Sequence, residues 1–358
     1  MKNDVNNVIV FAGGTIGHIK PALVICKELN LLGYKVHFFS TKGKFEDYLI
    51  GNNYLENICF FDSPGYIRGI KNTFKNVKNV FVLIKTYKLI REEVKKINPI
   101  FVIGMGGSIS TIGILASRGY KKVIHEQNAV IGFGNKIVKN KCNLLLSSYP
   151  LVGFIKIGNP IESIYKKSNL NKDKLLIVSG SNGSKTINDF FLNNCFNIIN
   201  EYYLYLKSIT IITGNTYFQN NIEIIEKINN DYTNNIEIIP FTNNIDKYLN
   251  NSYIVVSRGG AGFLSEIISK NIPSIIIPSP NVTDNHQFHN ANYYEQKGCL
   301  KVLLEDNLNL ENIKNYIDYI IKNYKELSQN MSENHNIYCK DLFISLTNDL
   351  INSEDDLN

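Results

Sequence analysis

Residues Phe11 to Ala22 read FAGGTIGHIKPA, and this stretch decides the fold. The apolar run from Val8 to Phe11 predicts a buried β-strand that ends at the glycines. Apolar residues then recur with helical spacing from Ala22 to Leu29, which predicts an α-helix. The glycines between them let the backbone turn sharply and let another molecule approach closely. A strand, a glycine turn and a helix in this order indicate a parallel α/β fold.

The start of the predicted helix suits an anion or a developing negative charge, because its free amides and the positive end of its dipole face outward. His18 is placed at this opening. Taken alone, the glycine turn is as consistent with a role in packing the α/β fold as with a role in binding a ligand. A nicotinamide-dependent oxidoreductase is the alternative enzyme class. It is disfavoured because the spacing is G-G-x-x-G and the strand from Lys35 to Ser40 is followed by Thr41 rather than by an acidic residue for a ribose hydroxyl.

Length and composition describe a globular protein of two domains. The chain has 358 residues, of which 44% are hydrophobic and 20% are charged, and this length exceeds one typical domain. The formal net charge of +6 is compatible with an anionic substrate or an anionic membrane surface. It does not require nucleic acid, and we expect no nucleic-acid partner.

The six cysteines are scattered along the chain, without a nearby histidine at metal-ligand spacing. This pattern is typical of reduced cysteines in a cytosolic protein. Residues Met1 to Asn7 are polar and lack the apolar segment of a signal peptide. No apolar stretch is long enough to cross a bilayer.

Strands and helices alternate along both halves of the chain, which predicts two doubly wound, Rossmann-like parallel sheets with helices on both faces. Ligands of such sheets bind beyond the carboxyl ends of the strands. We expect a first domain at residues 1–157, a second at residues 158–331, and a C-terminal helix at residues 332–358 that packs back on the first domain. Strands are predicted at Val8–Ala12, Val36–Ser40, Ile58–Phe61, Ile100–Met105, Val123–His125, Leu144–Ser147, Leu175–Val178, Ile209–Thr213, Ile236–Ile239, Ile254–Ser257, Ser274–Ile277 and Lys301–Leu304.

The stretch from Asp62 to Asn98 carries nine basic residues against three acidic ones, with apolar residues such as Val77 and Phe81 among them. A basic, partly apolar helix can lie on an anionic membrane surface. A solvated helix that packs on its own domain is the alternative interpretation of this pattern.

Seven motifs occur in the order and at about the spacing of one known family. Together they resemble the bacterial peptidoglycan glycosyltransferases that add N-acetylglucosamine to lipid I and so form lipid II. The resemblance covers most of the chain, from about Val8 to Leu304. The motifs are GGTIGHIKPA (13–22), GMGGSIS (104–110), HEQNAVIGFGNK (125–136), IGNP (157–160), SGSNGSKTIN (179–188), SRGGAGFLSE (257–266) and DNHQFHNA (284–291).

The resemblance implies the GT-B fold, with two Rossmann-like domains facing across a cleft. It also implies a metal-independent, inverting hexosyltransferase without a cofactor, in which the first domain binds the acceptor and the second binds UDP-N-acetylglucosamine. The implied partners are UDP-N-acetylglucosamine, lipid I with its undecaprenyl diphosphate, and an anionic membrane surface. The implied location is the cytoplasmic face of the cell membrane, to which the protein binds peripherally.

The resemblance also implies the site residues. Gly13, Gly14, Gly106, Gly107 and Ser108 would surround the acceptor diphosphate. The UDP-N-acetylglucosamine site would contain Thr15, Ile16, Gly17, Asn128, Ser181, Thr242, Ala261, Gly262, Phe263, Leu264, Ser265, Glu266, His286 and Gln287. In it, Glu266 would accept hydrogen bonds from the ribose hydroxyls, and Gln287 would read sugar hydroxyls because an amide both donates and accepts.

A general base is needed because a neutral acceptor hydroxyl is a poor nucleophile. His18 is the first candidate, since histidine titrates near neutral pH, and Glu126 is the second. A role for His18 that only orients its loop is the alternative, and His125 is expected to hold its own loop. No compact D-x-D motif for a metal is present, and Asp355-Asp356 is expected to belong to a disordered end.

Three positions depart from the family pattern. Ile16 stands where many relatives have glycine, so it requires an ordinary backbone conformation. Glu162 follows the IGNP motif where some relatives carry an arginine, and Phe263 replaces a threonine near the phosphates. A transferase with another lipid acceptor and a UDP-sugar epimerase stay as alternative enzymes, and the departures at Ile16 and Glu162 keep a non-catalytic binding protein of the same fold as a further alternative.

Overall fold

The computed structural model describes residues 6–43, 46–65, 73–162, 172–180, 183–231 and 235–353, and side chains of the helix that begins at Thr73 are described from Val77 onward. The chain divides into two compact units. Unit 1 contains Met1–Glu162 and Ile337–Asn358, and unit 2 contains Ser163–Asn336. The first unit therefore extends to Glu162, beyond the expected boundary at residue 157, and the chain re-enters it at Ile337.

In the described part of unit 1, seven strands form one parallel sheet in the order β3-β2-β1-β4-β5-β6-β7. The strands are β1 (Asn7–Phe11), β2 (Lys35–Thr41), β3 (Asn57–Phe61), β4 (Phe101–Gly104), β5 (Lys121–Glu126), β6 (Leu144–Ser147) and β7 (Ile155–Lys156). The helices between them are α1 (Ile16–Leu31), α2 (Glu46–Ile50), α3 (Thr73–Ile97), α4 (Gly107–Ala116) and α5 (Phe133–Val138). The sequence did not predict the short edge strand β7.

Strand β1 is at the centre of this sheet, and its side chains alternate between two apolar cores. Val8 and Val10 pack with residues of α1 on one face, whereas Ile9 and Phe11 pack with residues of α3 and α4 on the other. The order of strands reverses between β1 and β4. In such sheets, this reversal opens a crevice at the carboxyl ends of the two strands.

Unit 2 repeats this arrangement with six parallel strands, within its described residues, in the order β10-β9-β8-β11-β12-β13. The strands are β8 (Lys174–Val178), β9 (Ser208–Ile212), β10 (Ile236–Ile239), β11 (Ser252–Ser257), β12 (Ser274–Ile276) and β13 (Lys301–Val302). The helices are α6 (Lys185–Glu201), α7 (Asn215–Asn220), α8 (Ile222–Asp231), α9 (Ile245–Leu249), α10 (Ala261–Ser269), α11 (His286–Glu295), α12 (Leu310–Lys322) and α13 (Tyr324–Glu333).

The C-terminal segment differs from the single helix expected at residues 332–358. Helix α13 ends at Glu333, an extended stretch follows, and the last helix, α14, covers Lys340–Asn352. The helix is interrupted because Ile337 forms a parallel bridge with Asn159, and Cys339 N donates to Ile157 O at 2.7 Å. Helix α14 then contributes Phe343 to the core of unit 1. Among the described helices, none combines the length and the apolar character that a membrane span requires.

Candidate functional site

His18 lies in the first turn of α1, directly after the glycine turn that follows β1. Its Nδ1 is 3.0 Å from Gly13 O and 3.3 Å from Thr15 Oγ1. A carbonyl oxygen only accepts hydrogen bonds, so the contact with Gly13 requires the proton on Nδ1. In the neutral imidazole, the lone pair is then on Nε2. Thr15 has extended backbone angles and does not cap α1 with its side chain.

The turn between β4 and α4 lies against the turn that carries His18. A Cβ added to Gly106 would be 2.5 Å from Cδ2 of the His18 ring, and one added to Gly107 would collide with Gly13 O. Both glycines have positive φ, at +110° and +82°, which other L-residues rarely adopt. The two glycine turns therefore meet at the crevice between β1 and β4.

Ser108 follows in the first turn of α4, and its hydroxyl is already engaged. It donates to Ser63 O at 2.6 Å and accepts from Ser63 Oγ at 2.7 Å. Ser63 is buried beyond the end of β3. Ser108 thus ties α4 to the chain after β3, and the sequence did not reveal this contact.

Glu126 ends β5 and is 2% exposed. Oε1 accepts from Asn128 N and Asn128 Nδ2, both at 3.0 Å, and Oε2 accepts from Gly132 N at 2.9 Å and Asn135 Nδ2 at 2.8 Å. Both carboxylate oxygens therefore fix the loop between β5 and α5. This geometry favours a structural role for Glu126.

His125 is fully buried beside Glu126. Its Nε2 is 3.1 Å from Gly158 O, and its Nδ1 is 3.1 Å from Gln127 Nε2. Burial lowers the pKa of His125 to about 4. The neutral ring therefore donates from Nε2 and accepts at Nδ1, so it joins the HEQN loop to the IGNP segment.

The corresponding turn of unit 2 follows β8. Ser181, the serine expected near the donor diphosphate, lies outside the described residues. Beyond it, Gly183 has φ +73°, and Ser184 caps α6 by accepting from Ile187 N at 3.4 Å.

Helix α10 begins after Gly260, without a side-chain cap at its first turn. Ala261, Gly262 and Phe263 supply the amides of this first turn, followed by Leu264, Ser265 and Glu266. Ser265 is buried, and its hydroxyl donates to Ala261 O at 2.9 Å. Glu266 is half-buried on the next turn. The amides and Glu266 are therefore the groups of α10 best suited to an anionic ligand with hydroxyls.

Thr242 and Phe241 follow β10, where Phe241 is exposed and Thr242 Oγ1 accepts from Asn244 N at 3.0 Å. Gln287 is the second residue of α11, and its Oε1 accepts from Ser279 N at 2.9 Å. Because that oxygen is engaged with the backbone, Gln287 would meet a sugar chiefly through its NH2 group.

His286 precedes Gln287, and its Nδ1 is 2.8 Å from Thr283 O. Two consecutive non-glycine residues with positive φ come before it, Asp284 at +53° and Asn285 at +49°. Such conformations cost free energy and concentrate at functional sites. The sequence motif DNHQ had indicated the two side chains but not the backbone conformation that presents them.

Arg258 lies between β11 and α10 and contacts three other segments of unit 2. Its guanidinium donates to Ile277 O at 3.0 Å and to Ser184 Oγ at 2.5 Å, and it forms an ion pair with Glu305. Sequence reasoning missed this network because Glu305 lies outside every motif.

The structure shows where the three residues that depart from the family pattern lie. Ile16 is the first residue of α1, so its backbone is helical and glycine is not required there. Glu162 is exposed at the end of unit 1, and its charge is one of the causes that raise the pKa of Tyr54, after burial of that phenol and the effect of Cys26. Phe263 is half-buried in the first turn of α10. Across the described ranges, no three His, Cys, Asp or Glu side chains form a group suited to a metal ion.

Within each unit, the structure brings predicted residues together. In unit 1, the two glycine turns, His18 and the loop of Asn128 follow neighbouring strands β1, β4 and β5. In unit 2, the first turn of α10 and the turn before α6 follow neighbouring strands β11 and β8. The hydroxyls of Ser108 and Ser265 have protein partners instead.

Comparison with known proteins matches both units. The model of the glycosyltransferase family 28 N-terminal domain matches residues 8–146, and that of the family's C-terminal domain matches residues 174–343. A relative from Bacillus cytotoxicus is 32% identical over 347 residues, which cover 90% of this chain and 92% of the relative. A relative from Natranaerobius thermophilus is 31% identical over 351 residues, which cover 89% and 92%. Both are named UDP-N-acetylglucosamine--N-acetylmuramyl-(pentapeptide) pyrophosphoryl-undecaprenol N-acetylglucosamine transferase.

Solved structures give the same fold. The crystal structure of Acinetobacter baumannii MurG has a TM-score of 0.74 at 22% identity and covers 95% of this chain and 99% of its own. A Staphylococcus aureus MnaA–UDP structure has a TM-score of 0.65 at 16% identity and covers 98% and 99%. These likenesses carry the fold alone. With the two domain matches, they confirm the predicted GT-B fold of two Rossmann-like domains.

Proposed function

The chain belongs to glycosyltransferase family 28, and from this premise we propose that it transfers N-acetylglucosamine from UDP-N-acetylglucosamine to lipid I, the N-acetylmuramyl-(pentapeptide) pyrophosphoryl-undecaprenol acceptor. The product is lipid II, the disaccharide precursor of peptidoglycan. The support is the 32% identity to a named transferase over most of both chains, together with the placement of His18 at the crevice of unit 1.

The contact between His18 Nδ1 and Gly13 O is the observation that carries the mechanism. With Nδ1 donating to Gly13 O, Nε2 takes the proton of the acceptor's C4 hydroxyl as that oxygen attacks the anomeric carbon. The bond from the anomeric carbon to the diphosphate oxygen breaks, and UDP leaves from the opposite face. Because the acceptor oxygen attacks the face opposite to the departing UDP, the configuration at the anomeric carbon is inverted. Positioned base catalysis of this kind contributes on the order of 10²–10⁴ in rate.

Unit 2 supplies the donor site in this proposal. The amides of Ala261 and Gly262, at the uncapped start of α10, stabilise the charge that develops on the departing diphosphate. Glu266 accepts from the ribose hydroxyls, Thr242 lies by the uracil, and His286 and Gln287 bind the sugar. We propose that these groups act without a metal ion.

In unit 1, the two glycine turns bind the acceptor diphosphate through backbone amides, while Thr15, Ile16, Gly17 and Asn128 contact the donor sugar. Ser181, which lies outside the described residues, keeps its expected role near the donor diphosphate. Glu126 acts in this proposal by fixing the loop of Asn128, because three of its hydrogen bonds lead to that loop and the fourth leads to Asn135 of α5.

The deciding experiment measures UDP release from UDP-N-acetylglucosamine with and without a lipid I analogue, in the presence of EDTA. We expect release that depends on the acceptor and persists with EDTA. His18→Gln should lower turnover by at least about 100-fold while the affinity for UDP stays unchanged. Loss of activity with EDTA would refute metal independence. Conversion of the donor to an isomeric UDP-sugar, without an acceptor and without net release of UDP, would instead indicate an epimerase.

We also propose that α3 binds an anionic membrane surface, where the lipid acceptor is held. Four apolar side chains of α3 are at least half exposed: Val77, Val80, Phe81 and Ile84. Three exposed lysines accompany them: Lys78, Lys85 and Lys88. The apolar residues recur at helical spacing and so form one face, which suits the interfacial region of a bilayer, and the lysines suit anionic head groups. In this proposal, the protein is a peripheral membrane enzyme of the cytoplasmic face.

Sedimentation with vesicles that contain anionic lipid tests this surface. Phe81→Asp should abolish most of the sedimentation and leave the affinity for UDP unchanged. Leu204→Asp is the matched control, because Leu204 is 85% exposed on unit 2 and should not matter. Equal sedimentation of Phe81→Asp and the unsubstituted chain would contradict the proposal.

A further inference from the structure

The guanidinium of Arg258 connects the starts of two helices of unit 2. Arg258 itself immediately precedes Gly259-Gly260 and the first turn of α10. Its guanidinium donates at 2.5 Å to Ser184 Oγ, and the same oxygen caps α6 by accepting from Ile187 N. The orientation of one side chain is thus coupled to the first turns of both α6 and α10.

Glu305 is the second part of this connection. It forms the ion pair with Arg258, and its Oε1 accepts from Thr186 Oγ1 at 3.3 Å. Thr186 is the second residue of α6. Arg258 and Glu305 therefore both contact the first turn of α6, although Glu305 comes from the segment after β13.

The pair is largely withdrawn from solvent, with 13% of the Arg258 side chain and 16% of the Glu305 side chain exposed. Ile277 O accepts a further hydrogen bond from the guanidinium, at 3.0 Å. The planar fork of arginine suits several fixed acceptors at once, which a lysine ammonium does not match. The positive charge of Arg258 is therefore neutralised by a carboxylate and committed to protein acceptors.

We propose that Arg258, through Glu305 and Ser184, is a positioning residue that keeps the starts of α6 and α10 correctly spaced for the diphosphate of the donor, and that it is not itself a phosphate ligand. The inference rests on the proposed donor site, whose diphosphate lies at these two helix starts. A phosphate ligand would need its donors directed at the ligand, whereas these donors are directed at Ser184, Ile277 and Glu305.

The two roles predict opposite effects of Glu305→Gln on UDP affinity. If Arg258 were a phosphate ligand held back by Glu305, removal of the competing charge would tighten UDP binding. For a positioning residue, the substitution loosens the first turn of α6. We then expect the Kd for UDP to rise about tenfold, the size of one lost charge-assisted hydrogen bond.

A second variant keeps the test decisive if Glu305→Gln does not fold. Thr186→Val removes the hydroxyl that contacts Glu305, preserves side-chain shape and leaves no charge unpaired. It should raise the Kd for UDP in the same direction, by a smaller factor. Glu201→Gln is the matched control, because Glu201 pairs with Lys314 at the far end of α6 and its loss should leave the Kd unchanged.

The measurement is titration of the full chain with UDP and, separately, with uridine. Uridine lacks the diphosphate that the starts of α6 and α10 are proposed to bind. A change in the spacing of these helix starts should therefore lower the affinity for UDP and leave the affinity for uridine constant. An equal loss for both ligands indicates general damage and overturns the inference, as does unchanged or tighter UDP binding. Absence of UDP binding by the unsubstituted chain would refute the proposed donor site itself, which separates the two failures.

Discussion

Replacement of Gly106 by alanine should impair catalysis by displacing the His18 side chain, although His18 itself is not substituted. The new Cβ would be 2.5 Å from His18 Cδ2, whereas ordinary carbon contacts begin at about 3.4 Å. The imidazole must therefore move by roughly 0.9 Å, or the β4–α4 turn must move instead. The φ of +110° and ψ of 170° at this position place it in a region that is almost restricted to glycine, which adds a backbone cost of about 1–3 kcal/mol. A displacement of about 1 Å in a catalytic group can reduce the rate about 100-fold.

The assay is steady-state transfer to a lipid I analogue, with UDP affinity measured separately. We expect kcat to fall about 100-fold and the Kd for UDP to stay constant, because unit 2 is unchanged. Gly119→Ala is the control for backbone strain alone. Gly119 also has positive φ, at +91°, and its added Cβ would meet no atom within 4 Å. A Gly106→Ala enzyme with normal kcat would refute the assignment of His18 as the base.

Three further predictions concern the donor site and the stability of unit 1. Glu266→Ala should raise the Kd for UDP about tenfold and remove any preference for UDP over 2′-deoxy-UDP; a preserved preference would refute the ribose contact. Because the pKa of His125 is lowered to about 4, the unfolded state binds a proton that the buried ring does not. The free energy of unfolding should therefore fall by about 3 kcal/mol as pH drops from about 6.5 to 4, and urea titrations of His125→Gln should show a flatter dependence on pH. Lys121 Nζ donates to the carbonyls of Leu350, Ile351 and Ser353 at 2.8, 3.0 and 2.8 Å. Lys121→Met should therefore lower the free energy of unfolding by about 1–2 kcal/mol in urea titrations, without change in UDP affinity.

The sequence predicted the sheets well because local patterns determine them. Val8 to Phe11 is buried on both faces, as a continuous apolar run before a glycine turn predicts for the centre of a parallel sheet. The repeat of that pattern at Leu175 likewise predicted the second sheet. In contrast, β7 has only two residues, Ile155 and Lys156, both exposed, so no apolar pattern marked it.

The break between α13 and α14 could not be predicted from local pattern. Residues 332–351 have apolar spacing compatible with one helix, yet Ile337 pairs with Asn159, far away in the chain. A backbone pairing of this kind depends on the linker that returns from unit 2 to unit 1. Intrinsic helix preference is weak enough that such a tertiary contact overrides it.

The candidate base was ranked by residue type in the sequence, and the structure adds a physical criterion. Glu126 and His18 are both titratable and both lie at the edge of the sheet where the strands end: Glu126 is the last residue of β5, and His18 follows β1. Both carboxylate oxygens of Glu126 accept hydrogen bonds from the segment that follows β5. Proton transfer to this carboxylate would therefore break contacts that fix Asn128. The hydrogen bond from His18 Nδ1 to Gly13 O instead selects the tautomer whose Nε2 can accept a proton. The hydrogen bond to Gly13 O thus both orients the His18 ring and leaves Nε2 as the nitrogen that can accept a proton. Hydrogen-bond geometry therefore distinguishes His18 from Glu126, which the sequence motifs alone did not.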